Sequence, residues 1–208
     1  TRIYIGNQFC HNLFPRKELL FQVLEKALEN NLAVTLAFSY IRNHLLEEID
    51  ELLQELEVWC QSREKEAGKD QEEIIVNDWA MPILLQGKPH LKPVLGVLLN
   101  KHRKDVRLPY KHGIGNHVDS LAENNLNCGF YQDYLKNTFD IQRFEFESCG
   151  YKVTIPDGHH SLHLFSRQIP HSIARFMPFA DMVTGENKNC RKTAQDIVTK
   201  KYFYIRSI

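Results

Sequence analysis

The chain has 208 residues, 43% hydrophobic and 25% charged, with 26 basic side chains against 26 acidic ones. That length carries one sizeable core and hardly two, and the composition excludes a disordered chain. A formal net charge of zero argues against a broad nucleic-acid or anionic-membrane surface, and no apolar run nears the ~20 residues of a membrane-spanning helix.

Ile3, Tyr4 and Ile5 form a short β-rich run that ends on Gly6-Asn7. Past Pro15, Leu19, Leu20, Val23, Leu24, Ala27 and Leu28 recur at helical spacing and fade at Asn30-Asn31. A second apolar run, 34–38, ends on Ser39. Asn43 is placed to cap a helix along which Leu45, Leu46, Ile49, Leu52, Leu53, Leu56 and Trp59 repeat, and its acidic outer side reads as solvated. Residues 62–73 are charged and read as a helix end and loop. The run 74–76 ends on Asn77-Asp78 and the run 94–99 on Asn100. A Gly-rich loop is expected at 112–116, helices over 116–127 and 130–137, and strands at 143–147, 152–155, 161–165 and 202–205.

Short, near-continuous apolar runs suit strands buried on both faces of a parallel sheet. Their alternation with helices implies right-handed crossovers. A closed eight-fold barrel takes about 250 residues. Six or seven strands therefore predict an α/β fold with a parallel (β/α) barrel-like sheet, an incomplete or distorted TIM-type barrel, in a single domain over residues 1–208.

Small polar residues at strand C-terminal ends mark the rim where ligands gather. Asn7, Ser39, Asn77, Asp78 and Asn100 are the ligand-binding candidates there. Asp78 is also a candidate base or ion partner, while Asn77 and Asn100 are also read as caps of the following turns. Glu145 and Glu147, two apart on one strand, share a face, which suits acid–base work or simple solvation. His159, His160, His163 and His171 crowd the segment 157–171. His159 and His163 have the same strand parity and, with Asp157, are a candidate metal set of the zinc or non-haem iron type; the other reading is polar surface. Lys101, His102, Arg103, Lys104, Arg107 and Lys111 are candidates to meet phosphate, with Tyr110 to stack on a base, or else belong to a solvated loop. HExxH, GxSxG and phosphate-cradling loops do not occur, so the residues give proteolysis no support. Five cysteines, Cys10, Cys60, Cys128, Cys149 and Cys190, without a CxxC pair, point to reduced thiols in a cytoplasmic protein.

Several segments, in order, resemble peptidase family U32, the collagenase-like peptidases. Residues 2–10, RIYIGNQFC, resemble its opening strand and cysteine; 34–40 takes the place of its next strand; 74–81, IIVNDWAM, and 95–101, LGVLLNK, resemble two later segments; SLHLF at 161–165 with ARFM at 174–177 resembles a further one. The likeness spans roughly residues 2–190, and the strand–helix unit that usually precedes this opening has no counterpart here. Several members of that family serve oxygen-independent hydroxylation of ubiquinone precursors or RNA bases and carry a four-cysteine iron–sulfur cluster. The resemblance thus implies an enzyme or enzyme subunit acting on a small-molecule or RNA substrate with a nucleobase or quinone-precursor ring. It matches Cys10 and Cys190 to two cluster cysteines, while Met177 stands where a third belongs and Thr193 or Ala194 where a fourth does. Cluster irons take thiolate or, at times, imidazole, and neither a thioether nor an Ala side chain replaces them. The alternative implied is a cluster-free binding subunit, with a protein partner or second copy covering the edges of an incomplete barrel.

Overall fold

The computed structural model describes residues 1–8, 10–67, 72–103, 122–148, 152–165 and 203–207. The expected loop at 112–116, most of the helix over 116–127, Lys104, Arg107, Tyr110, Lys111, Cys149, His171, Met177 and Cys190 lie outside these residues. The described elements are β1 (Arg2–Gly6), α1 (Lys17–Glu29), β2 (Ala33–Ala37), α2 (Leu46–Ala67), β3 (Glu72–Val76), α3 (Ala80–Leu84), β4 (Leu91–Leu95), α4 (Gly129–Phe139), β5 (Arg143–Glu147), β6 (Ser161–Phe165) and β7 (Phe203–Ser207). The strands lie side by side in chain order. β1 to β6 are all parallel, and β7 closes against β6 antiparallel.

This is an α/β fold whose six parallel strands curl into a half-barrel. Tyr4 shows the curvature directly. Five strand spacings of ~4.8 Å would hold β1 and β6 some ~24 Å apart in a flat sheet, yet the Tyr4 hydroxyl lies 2.9 Å from Ser161 Oγ on β6. No described helix is long and apolar enough to cross a membrane.

Strand parity divides the side chains into two layers. Val34, Leu36, Ile74, Val76, Leu95, Phe144 and Phe146 face the helices and meet Leu20 and Leu24 of α1, Leu53 and Leu56 of α2, Met81 of α3 and Leu135 of α4. This layer is the apolar core. The opposite parity lines the concave side, where register aligns Tyr4 with Thr35, Thr35 with Glu73, and Glu145 with Ser161. Both faces of the central strands are buried, as a parallel sheet requires, but the concave one carries polar side chains beside Ala37, Ile75 and Val94. Glu145 and Glu147 are 0% and 1% exposed, so the solvated reading of that strand face is overturned: curvature brings β1 and β6 across it.

Several boundaries differ from the sequence reading. The described part of the helix expected over 116–127 holds only a 3-10 turn, Asn125–Asn127, and β3 begins at Glu72, inside the stretch read as helix end and loop. Asn43 does not cap α2; it opens a 3-10 turn, Asn43–Leu45, that runs into the helix. β4 covers Leu91–Leu95, not 94–99, because Gly96 turns the chain out of the sheet, with Leu99 and Asn100 N–H both donating to its carbonyl. Pro93 lies inside this strand, a place proline seldom takes in a central strand. Residues 152–155 form no strand, although Thr154 N–H donates to Ala122 O at 2.8 Å.

Candidate active site on the concave face

Glu73 is the hub of a lower polar layer. Its Oε2 takes Arg2 Nη1 at 2.6 Å, Thr35 Oγ1 at 2.9 Å and Arg143 Nη1. Arg143 Nη2 also donates to Ser161 Oγ and, at 3.3 Å, to Tyr4 Oη. Burial alone would disfavour the Arg143 charge, but its bond to Tyr4 and the fields of Glu73, Tyr4 and Glu145 outweigh that and raise its pKa. Burial, then the field of Glu145, raises the Tyr4 pKa as well, so the phenol stays protonated. Both guanidiniums of this layer are committed to one carboxylate.

Glu145 is the hub of the layer above. Its Oε2 accepts from Gln8 Nε2 at 3.0 Å and lies 2.8 Å from His163 Nε2. A carboxylate partner fixes the imidazole hydrogen on Nε2. The Tyr4 ring meets the His163 ring edge-on, centroids 5.9 Å apart, and holds its plane. Asn77 braces Gln8: its Nδ2 donates to Gln8 Oε1 at 3.2 Å and to Phe38 O at 2.8 Å, while Oδ1 accepts from Leu98 N–H at 3.2 Å. Asn100 Nδ2 donates to the Glu145 carbonyl at 3.1 Å. Buried Glu145 Oε1 and Asn100 Oδ1 accept no hydrogen bond. A carboxylate with one oxygen anchored and the other open is placed to take a proton.

No family model, curated protein or solved structure matches this chain.

The rim candidates separate. Asn77 and Asn100, each 1% exposed, belong to the Glu145 layer. Asn7 Oδ1 accepts Cys10 N–H at 2.9 Å and shapes the turn after β1. Asp78 Oδ1 accepts Ala80 N–H at 2.8 Å and shapes the turn that leads into α3. Ser39 is buried and lines a separate groove of about 740 Å³ between the loops that follow β1 and β2. His159 lies exposed in the bend before β6, whereas His163 is buried on the concave side. His160 is a packing residue: it stacks on Phe144 at 4.9 Å and accepts Phe144 N–H on Nδ1 at 3.2 Å, and burial lowers its pKa.

Among the described residues, no three His, Cys, Asp or Glu side chains are arranged to hold a metal ion. Cys10 is buried in the turn after β1, Cys60 is buried in α2 with its thiol pushed up to about 12, chiefly by burial, and Cys128 is exposed beside α4. A four-thiolate set is not assembled among the described residues. The sequence reading missed Tyr4, Gln8, Glu73 and Arg143. Alternation in RIYIG and RFEFE carries part of that signal, but parity alone does not say which face curls inward.

Proposed function

We propose that the chain is a divergent relative of peptidase family U32 on an incomplete TIM-type barrel. It acts as a cytoplasmic enzyme or enzyme subunit moving a proton on a ring-bearing small molecule. Glu145 is the base and His163 the residue that orients it. The U32-like segments 2–10, 34–40, 74–81, 95–101 and 161–165 support this reading, because they fall in order on β1, β2, β3, the turn leaving β4, and β6. The observation that carries it is the buried Glu145–His163 pair, 2.8 Å apart, with Glu145 Oε1 open.

The test uses the full chain in D₂O with a panel of ring-bearing carbon acids and hydroxylatable rings, read by mass spectrometry. Deuterium uptake into one class, falling by roughly 100-fold or more in Glu145→Gln, is the expected result. Uptake unchanged in that variant, or none with any ring, sinks the base assignment. Anaerobic purification with iron and sulfide analysis addresses the cluster: stoichiometric metal that disappears in Cys10→Ser would make Cys10 a ligand.

A second reading, a binding subunit of a larger complex, is favoured by the surface of α3 and α4. There Trp79, Ile83, Phe130 and Tyr134 are 41%, 59%, 81% and 44% exposed. A stable copurifying chain without proton exchange would support it.

A further inference from the structure

Resting on that reading of the concave face, we infer that the ligand group received there is a cationic N–H donor, an amidinium or protonated amine, shared between Glu145 Oε1 and Asn100 Oδ1. The amide orientations are set by their neighbours. Asn100 has a carbonyl, Glu145 O, 3.1 Å from one end of its side chain, so that end is the NH₂ and the open end is the acceptor oxygen. Asn77 is fixed likewise by Phe38 O on one side and Leu98 N–H on the other. Gln8 then has its oxygen toward Asn77 and its nitrogen toward Glu145. Every amide in this layer is thereby oriented, and Glu145 Oε1 and Asn100 Oδ1 remain as acceptors without a hydrogen bond. Because the Asn100 amide is bonded to the Glu145 main chain, the two lie in one neighbourhood. A buried acceptor left unmet is costly, more so when it is charged, and native proteins meet such groups with water, an ion or a ligand.

Charge narrows the choice. Arg2 and Arg143, the guanidiniums of the concave side among the described residues, are both bonded to Glu73 in the layer below. The upper layer holds the Glu145 carboxylate, to which no described guanidinium is bonded, and a positive ligand group offsets it. An amidinium supplies two N–H groups from one planar fork, one for each open oxygen. Among the described residues no three-ligand metal arrangement competes for the place.

The matched probes are acetamidinium and acetate, nearly the same in shape and opposite in hydrogen-bond polarity. The ¹⁵N-labelled full chain is titrated with each, following the Leu98 and Asn100 amides. Acetamidinium is expected to shift them saturably and acetate not to. Glu145→Gln keeps an oxygen for Gln8 and His163 and turns the open oxygen into an NH₂, so acetamidinium affinity should fall at least tenfold and acetate should gain. Asn100→Ala, which removes the other acceptor, should weaken acetamidinium without recruiting acetate, and it serves where the first variant does not fold. Acetate binding to the wild-type chain at the same amides, or acetamidinium binding unchanged in both variants, overturns the donor assignment while leaving a ligand site. Mg²⁺ or Mn²⁺ alone producing the same shifts overturns it in favour of a metal. Silence from every probe at these amides overturns the inference and the reading it rests on.

Discussion

Gly96→Ala tests how the rim of the half-barrel is locked. A Cβ at this position would lie 2.0 Å from Asn77 Oδ1 and 2.7 Å from Ile75 Cγ2. The Asn77 side chain would have to leave, breaking its bonds to Gln8, Phe38 O and Leu98 N–H and leaving two backbone groups buried without partners. At about 1–3 kcal/mol per orphaned group, that amounts to about 3 kcal/mol, with about 1 more for crowding Ile75. Against a typical total of about 5–15 kcal/mol, this is a large fraction. Urea unfolding of Gly96→Ala, Asn77→Ala and the double variant forms a cycle. Asn77→Ala removes the same bonds and the main clash, so the double variant should be destabilised by about 4 kcal/mol rather than the ~7 of the sum, a coupling near 3 kcal/mol. Strict additivity, within about 0.5 kcal/mol, would refute the close approach of Gly96 to Asn77.

Two further outcomes follow from the concave face. Glu73→Gln strips the shared partner from Arg2 and Arg143 and should cost about 3 kcal/mol in urea unfolding; Arg2→Met, whose side chain is 33% exposed, should cost under about 1, and equal losses would refute Glu73 as the hub. Burial holds the His160 imidazole below its usual 6.5, so on acidification the unfolded chain takes up that proton first and is favoured. Stability from this site is therefore full above pH ~6.5 and lost as pH falls below it. His160→Gln should flatten the melting temperature between pH ~7 and ~5 relative to wild type, and parallel profiles would refute the assignment.

The strand–helix alternation was legible because a parallel sheet covered by helices writes apolar residues on its outer parity, and those residues set β1, β2, β3, β5 and β6 close to their observed bounds. β4 was displaced because the apolar residues of its exit turn, Val97 to Leu99, are buried as deeply as a strand would be and extend the apolar run past Gly96. The site was legible only in its residue types. Glu145, Glu147, Asn77, Asn100 and His163 all stood out, but whether they face water or one another depends on curvature, and curvature is a long-range property. Nothing local in the sequence says that Tyr4 and Ser161, 157 positions apart, touch.

The division of labour between the two faces has an energetic consequence. A TIM-type interior is ordinarily filled by branched apolar side chains, whereas this concave face carries two arginines, three glutamates, a histidine and a tyrosine on β1, β3, β5 and β6. Buried ion pairs, once desolvated, return little net stability. The apolar contacts of the helix-facing layer, Leu36, Ile74, Leu95 and Phe146 against α1, α2 and α4, must therefore supply most of it. Glu73 satisfies two cations, so its removal strands charge and weakens the fold. Glu145 holds one oxygen in place and leaves the other open, so a neutral isostere there removes a charge that no arginine is bonded to. Of the two glutamates, Glu145 is thus the one whose replacement should change what the concave face binds more than how firmly the chain is folded.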